Sequence, residues 1–190
     1  MTPERLAELV LARPSRCGTT RLVCVDGPAG SGKTTLAADL AAAVEARGRT
    51  VAVVHLDDLL EGWDGLDEVG RSAQVLLVEP WAAGVPGGYR RYDWHRAAFA
   101  EHHEVPPADV AVLEGVGSGH PGFADLVTLL VWVEAPDELR IARGLERDGP
   151  ELVPQWRRWL GAEQRLHARE RTRERADVLV DGTGPSVPGL

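Results

Sequence analysis

The sequence has 190 residues, of which 44% are hydrophobic and 26% are charged, values typical of one globular domain with a full-sized core. Its net charge of −8 argues against nucleic acid as a partner, because neutralising a phosphate backbone needs a basic surface. No apolar run approaches the roughly 20 residues that span a bilayer, and the first residues lack a signal-peptide pattern. We therefore expect a cytoplasmic protein without a membrane partner, and its oligomeric state stays open.

The predicted elements alternate between helices and buried strands. Helices are expected after Thr2 and over 33–47, 136–147 and about 152–176, and strands over 20–26, 50–55, 109–113, 127–133 and 177–180. Residues 57–70 and 84–94 are predicted to be irregular, and a helix over 71–83 to be interrupted by Pro80. This alternation predicts a single α/β domain over 1–190, with a parallel β-sheet covered by helices on both faces and a loose tail beyond Gly184.

A glycine-rich segment directly follows the first predicted strand. It fits the phosphate-loop pattern G-x-x-x-x-G-K-[ST] and comprises Gly27, Pro28, Ala29, Gly30, Ser31, Gly32, Lys33 and Thr34, with Thr35 next. Its glycines let backbone N–H groups face an anion, and the following helix directs its positive end at the same phosphates. Lys33, the only lysine beside 20 arginines, is expected to reach the β- and γ-phosphates, and Thr34 to bind Mg²⁺. The motif therefore predicts Mg-ATP as the ligand of a P-loop NTPase fold. An Asn-Lys-x-Asp guanine-reading motif is impossible, because the chain has no asparagine.

Acidic residues end the second and third predicted strands. Asp57 and Asp58 follow the second strand, and Glu114 ends the third. The carboxyl ends of parallel strands meet at the crevice where α/β sheets bind ligands. Asp57 is thus a candidate to take the proton of an acceptor hydroxyl and to help hold the metal, although aspartates are also common as helix caps and in loops there. Glu114 is a candidate metal ligand, or else an unpaired strand-terminal acid.

Two further segments carry candidate ligand groups. Arg140, Arg143 and Arg147 share one helical face, which suits cations over phosphates or, alternatively, a solvated face with ion pairs. The segment 87–94 contains both tyrosines of the chain. Its candidate acceptor-binding residues are Tyr89, Arg91, Tyr92 and Asp93. The same segment is equally compatible with a hairpin packed on the core.

Taken in order, these segments resemble the uridine kinase and phosphoribulokinase-like branch of the phosphate-loop kinases. The residues LDDLLEGW are similar to the D-D/S-F-Y segment of that family, which implies that Asp57 is the catalytic acid or base. The strand ending at Glu114 is similar to the family strand whose glutamate contributes to the Mg²⁺ site, often through water. Residues 140–148 resemble the lid pattern R-x-x-R-x-x-x-R-D, which implies a lid over 136–160 with Arg143 and Arg147 as its cations.

The sequence departs from the family in two places. Leu59 and Leu60 stand where the family usually has Phe and Tyr, and Trp63 is a candidate to fill that space. Gly149-Pro150 replaces further Arg and Gly residues, which implies a shorter or stiffer lid.

The resemblance implies an ATP-dependent phosphotransferase that uses Mg²⁺ and acts on a nucleoside or nucleotide. A kinase for a non-nucleoside alcohol, such as a vitamin precursor, sugar or antibiotic, would differ only in the acceptor segment. An ATP-binding switch protein without phosphotransfer is the other alternative, and carboxylates at both Asp57 and Glu114 count against it. In each case the partners are small molecules.

Overall fold

The computed structural model describes residues 1–184, so the predicted loose tail from residue 185 onward lies outside the described residues. The helices in that range are α1 (Pro3–Ala12), α2 (Lys33–Glu45), α3 (Leu66–Ala73), α4 (Glu79–Ala82), α5 (Asp137–Asp148), α6 (Val153–Glu170) and α7 (Thr172–Arg175). The strands are β1 (Arg21–Asp26), β2 (Val51–His55), β3 (Gly87–Asp93), β4 (Ala98–Val105), β5 (Val110–Glu114), β6 (Val127–Glu134) and β7 (Val178–Asp181). Among the described residues, no helix combines the length and apolarity needed to cross a membrane.

Five strands form one parallel sheet in the order β2-β5-β1-β6-β7. Strands β3 and β4 form a separate antiparallel hairpin. The predicted α/β architecture is thus confirmed, with the phosphate-loop strand β1 at the centre of the sheet. Central strands are buried on both faces, which explains why they read as continuous apolar runs.

Hydrophobic residues pack against both faces of the sheet. On one face, Val23 and Val25 of β1 pack in a cluster with residues of α1 and α2. On the other face, Leu22 and Cys24 belong to a cluster that includes residues of α3, α6 and the hairpin. Alternate residues of one strand therefore serve two cores, as the period of two in a β-strand requires.

The acidic segment after β2 is more ordered than predicted. Short 3-10 helices form at Leu56–Asp58 and Gly62–Asp64, and α3 begins at Leu66. The prediction of a loop over 57–70 was wrong because Leu66, Val69 and Ala73 are buried on one helical face. The helix predicted over 71–83 continues past Pro80, because a π-helical turn over Gln74–Val78 joins α3 to α4 and Pro80 lies at the start of α4.

The prediction that 84–94 is irregular was also wrong. Residues Gly87–Asp93 pair with Ala98–Val105, a strand that sequence analysis did not assign. At the chain's C-terminal side, the predicted long helix divides at Arg171, whose φ of 51° ends α6 before α7 begins. The predicted stop at Gly149 is confirmed, because α5 ends at Asp148.

Helices α5 and α6 pack closely where Gly144 meets Trp156. A Cβ atom on Gly144 would overlap the indole ring of Trp156. We expect Gly144→Ala to lower the free energy of unfolding by about 1–3 kcal/mol through overpacking, as measured by chemical denaturation. Gly161→Ala is the matched control, because the nearest atom to its Cβ is a terminal nitrogen of Arg165 at 3.4 Å. That helix-interior change should stabilise the protein by roughly 0.5–1 kcal/mol, and equal effects of both changes would contradict the packing argument.

Candidate functional site

The carboxyl ends of β1, β2 and β5 bring the predicted site residues to one edge of the sheet. In the parallel register, Glu114 lies opposite both Val25 and His55. The phosphate loop leaves β1 at this edge. Chain segments far apart in sequence therefore meet here, as expected for a sheet of this type.

The glycine-rich loop turns through positive φ angles that favour glycine. Gly30 has a φ of 75°, and a side chain there would collide with the carbonyl of Arg140. Lys33 opens α2, and its Nζ donates to the carbonyl oxygen of Pro28 at 3.0 Å. The buried hydroxyl of Ser31 has no hydrogen-bond partner within residues 1–184. A lysine folded over a loop of this shape, with an unsatisfied hydroxyl inside it, fits the binding of a polyphosphate.

Glu114 links the loop helix to β2. Thr34 Oγ1 donates to Glu114 Oε1 at 3.1 Å, and His55 Nδ1 lies 2.5 Å from the same oxygen. This hydrogen bond raises the pKa of His55, while partial burial opposes the rise. Glu114 is 5% exposed, so its carboxylate has the partners that a buried acid requires.

The oxygen atoms of Thr34 and Glu114 suit a hard cation. No group of three or more His, Cys, Asp or Glu side chains in the described range is arranged to hold a metal ion. Mg²⁺ takes one or two carboxylates and fills its other positions with waters and substrate phosphates. A hydroxyl and a carboxylate 3.1 Å apart are consequently a fitting donor set for Mg²⁺ bound together with ATP.

Asp57 lies beside this group, in the 3-10 turn that follows β2. Solvent reaches its side chain, but the crowded cleft lowers its hydration, and this loss together with the charge of Glu114 raises its pKa. Lys33 and Arg147 oppose the rise through their positive charges. Asp57 is thus within electrostatic reach of Lys33, Glu114 and Arg147, all of which were predicted as site residues.

Asp58 faces the hairpin. Its Oδ2 accepts a hydrogen bond from the hydroxyl of Tyr89 at 3.2 Å. Burial raises the pKa of Tyr89, and the charge of Asp58 adds to this effect. The ring of Tyr89 stacks on that of His103, with the ring centroids 5.5 Å apart. The two adjacent aspartates therefore have different neighbours: Asp57 is close to the phosphate loop and Asp58 contacts the hairpin.

Aromatic rings line the space between the hairpin and α6. Trp94 Nε1 donates to the backbone oxygen of Asp57 at 3.2 Å, and its ring meets Trp63 and Tyr92 edge-to-face at 5.6 and 5.4 Å. Trp63 in turn meets Trp159 of α6 at 5.9 Å. Trp63 and Trp159 line a cleft of about 440 Å³ between the start of α3 and α6. Through their contacts with Trp94, Trp63 and Tyr92 therefore lie near the turn that carries Asp57.

Two other predicted acceptor residues are engaged within the hairpin. Arg91 Nε donates to Glu101 Oε1 at 2.6 Å. Asp93 Oδ1 accepts from the backbone N–H groups of His95 and Arg96, each at 3.0 Å. The positive charge of Arg91 is accordingly compensated, and Asp93 stabilises the hairpin turn.

The three arginines of α5 have different surroundings. Arg140 is 3% exposed and pairs with Glu163 of α6. Arg143 donates to the backbone oxygens of Gly182 at 2.8 Å and Gly184 at 2.6 Å, which holds the segment after β7 near the phosphate loop. Arg147 pairs with its neighbour Asp148, and the charges of Asp57 and Glu114 act on it across the cleft. Of the three, Arg147 lies best to approach a phosphate beside Asp57.

Sequence reasoning missed four residues around this site: Asp26, His55, Trp94 and Glu163. Asp26 is fully buried, and its carboxylate accepts from the N–H groups of Gly27, Gly117 and Gly119 at 2.7–3.0 Å. An aspartate at the end of β1 and a histidine at the end of β2 were available signals, since polar residues at strand ends face the crevice. The long-range partner of Glu163 left no signal in the sequence.

Comparison with known proteins supports the fold. No protein-family model and no curated protein matches the sequence. A solved structure of a possible uridine kinase from Bacillus stearothermophilus is similar over 94% of this chain and 97% of its own, with 22% identity and a TM-score of 0.69. A candidate fructose transport system kinase from a Silicibacter species is similar over 94% of this chain and 98% of its own, with 23% identity and a TM-score of 0.56. The predicted fold is confirmed, because the chain shares the fold of both kinase structures over almost its whole length.

Proposed function

We propose that this protein is an ATP-dependent kinase that transfers the γ-phosphate to a small-molecule acceptor, with a nucleoside or nucleotide as the preferred class. The observation that carries the proposal is the meeting of a phosphate loop with two strand-end carboxylates, Asp57 and Glu114, at one edge of a parallel sheet. Both similar structures carry kinase names, which agrees with the proposal.

Each group in the cleft has a role in this proposal. Bound Mg-ATP supplies the phosphoryl group to be transferred. Lys33 and the N–H groups of the loop hold the β- and γ-phosphates, while Thr34 and Glu114 hold the metal. Asp57 orients the acceptor hydroxyl and takes its proton, a function that its raised pKa favours. Arg147 stabilises the charge that develops on the transferred group.

The hairpin and the aromatic cleft are the proposed binding place of the acceptor. Tyr89, Asp58 and Trp63 offer hydrogen bonds and a stacking surface beside Asp57. Arg91 is already paired with Glu101, so the hairpin has less free positive charge to offer a phosphate. The aromatic cleft is lined by Arg157, Arg158 and Arg165, so a nucleoside and a nucleotide both remain candidates for the acceptor.

A sugar is the second candidate acceptor. The hydroxyl of Tyr89 and the carboxylate of Asp58 suit several adjacent hydroxyl groups as well as they suit a ribose. The name of the Silicibacter neighbour points in the same direction. An acceptor panel separates the two candidates: nucleosides, their monophosphates, free sugars and vitamin precursors, each assayed for ADP release. Faster ADP release with nucleosides supports the proposal, whereas faster ADP release with sugars alone supports the second candidate. Mg-ATP binding without faster ADP release for any class argues for a switch protein.

Loss of Arg147 should slow turnover more than it weakens ATP binding. Its guanidinium is expected to make its strongest contact with the charge that develops during transfer. We expect Arg147→Ala to lower kcat by at least about tenfold, with a smaller change in the Kd for ATP. Arg5→Ala is the control, because Arg5 forms an exposed ion pair with Glu8 on α1.

Hydrogen exchange tests the same residue by another route. If Arg147 belongs to a closing lid, amides over 143–154 exchange faster than the core strands without ligand, and ATP slows them. An unchanged kcat in Arg147→Ala, together with an exchange pattern that ATP does not alter, would make this helix part of the scaffold.

A further inference from the structure

A buried ion pair joins α5 to α6, the helices on either side of Gly149-Pro150. Arg140 of α5 and Glu163 of α6 lie 2.9 Å apart, and they are 3% and 1% exposed. Buried ion pairs are weak evidence for stability, because the loss of hydration offsets much of the attraction. A pair kept at this depth therefore calls for a role beyond holding two helices together.

Both members of the pair also bind the phosphate loop, at a single residue. Glu163 Oε2 accepts from the N–H group of Ala29 at 2.8 Å, and Arg140 Nη1 donates to the carbonyl oxygen of Ala29 at 2.8 Å. The peptide groups on either side of Ala29 are thus fixed by two different helices. Ala29 immediately precedes Gly30, whose positive φ the loop needs.

The charges of the pair matter because of where they lie. A lone carboxylate beside a loop that holds three phosphates would repel them, and low local polarity would strengthen that repulsion. Arg140 cancels the charge of Glu163 and leaves its hydrogen bond to Ala29 in place. The pair can therefore shape the loop without an electrostatic penalty for the nucleotide.

We propose that Arg140 and Glu163 are positioning residues that hold the phosphate loop in its nucleotide-binding shape, and that Arg140 shields the nucleotide from Glu163. This inference rests on the proposed function in one respect, that the loop binds ATP. It assigns Arg140 a role different from that of a phosphate-contacting arginine, although Arg140 belongs to the same helical face pattern as Arg143 and Arg147.

The test is a double-mutant cycle on Mg-ATP affinity, measured by calorimetry. Glu163→Gln keeps an acceptor for the N–H of Ala29 and should weaken binding by less than about tenfold. Arg140→Gln leaves an unpaired carboxylate beside the loop and should weaken binding by about 100-fold. The double variant should regain part of that loss, because the unpaired charge is gone, and should bind more weakly than Glu163→Gln alone, because Ala29 has also lost its hydrogen bond from Arg140.

Two further measurements separate positioning from simple helix packing. AMP, titrated beside ATP, lacks the β- and γ-phosphates, so a misplaced loop lowers ATP affinity more than AMP affinity. A pair that only supports packing would lower the melting temperature and leave the ratio of the two affinities unchanged. Arg173→Gln and Glu134→Gln are matched controls, since their ion pair at 2.7 Å is about half exposed, and both should leave the ratio at the wild-type value.

Several outcomes would overturn the inference. An unchanged ATP-to-AMP ratio in Arg140→Gln would do so, and so would a double variant that loses as much affinity as the two single variants combined. A wild-type protein that fails to bind Mg-ATP would overturn the proposed function itself, and the inference with it. The wild-type titration therefore distinguishes the two failures.

Discussion

Replacing Lys33 with alanine is expected to lower kcat/KM for ATP by about 10³-fold, the upper range for the loss of one charge-stabilising group. Lys33 is the only lysine of the chain and lies inside the phosphate loop, 7% exposed. Its ammonium donates to the carbonyl of Pro28 within the same loop, so alanine removes one local hydrogen bond, worth about 1 kcal/mol of stability. The fold should survive while nucleotide binding is lost.

Lys33→Arg is the informative companion variant. It keeps the positive charge but replaces a compact ammonium on a flexible stem with a planar fork. Lys33 itself is buried, so the larger group should not fit the same position, and activity should stay low. Because the chain has one lysine, modification by an amine-reactive reagent at Lys33 can be followed by mass spectrometry, and ATP should protect it. Unchanged Mg-ATP affinity in Lys33→Ala would mean that this loop does not bind the phosphates.

The parallel sheet was predictable because its signals are local. Each central strand is an apolar run that ends in an acid, and each adjoining helix begins where a Pro, an acid or the phosphate loop favours it. The second strand of the hairpin was missed for the opposite reason. Strand β4, Ala98–Val105, is half exposed and rich in His and Glu, so its side chains follow no clear apolar alternation.

The site was predictable only in part, for a similar reason. Strand-end carboxylates such as Glu114 follow from topology, since parallel strands bring their carboxyl ends together. The contacts of α6 could not be predicted from topology. Glu163 contacts Ala29, which lies 134 positions away in the sequence, and its place in the helix pattern is that of an ordinary solvent-facing acid. The pairing of Arg140 with Glu163 needed the three-dimensional structure for the same reason.

Replacing Asp57 with asparagine should lower kcat by about 10²-fold or more, the usual contribution of a positioned general base. The carboxylate lies in the turn after β2, within reach of the charges of Lys33, Glu114 and Arg147, where an acceptor hydroxyl would meet the γ-phosphate. Asparagine preserves the shape but has little affinity for a proton. Affinity for Mg-ATP should be largely retained, because the loop and Glu114 remain intact. The measurement is kcat with the best acceptor of the panel, alongside calorimetric ATP binding.

Asp58→Asn is the matched control, because it makes the same chemical change one residue away. The Asp58 carboxylate binds the hydroxyl of Tyr89 on the hairpin, so its loss should raise the KM for the acceptor more than it lowers kcat. The two variants thus divide the proposed roles between chemistry at Asp57 and acceptor binding at Asp58. The opposite pattern, with kcat unchanged in Asp57→Asn and about 10²-fold lower in Asp58→Asn, would move the general base to Asp58. In that case Oδ1 of Asp58 would take the acceptor proton, since the hydroxyl of Tyr89 binds Oδ2 and leaves the second carboxylate oxygen available.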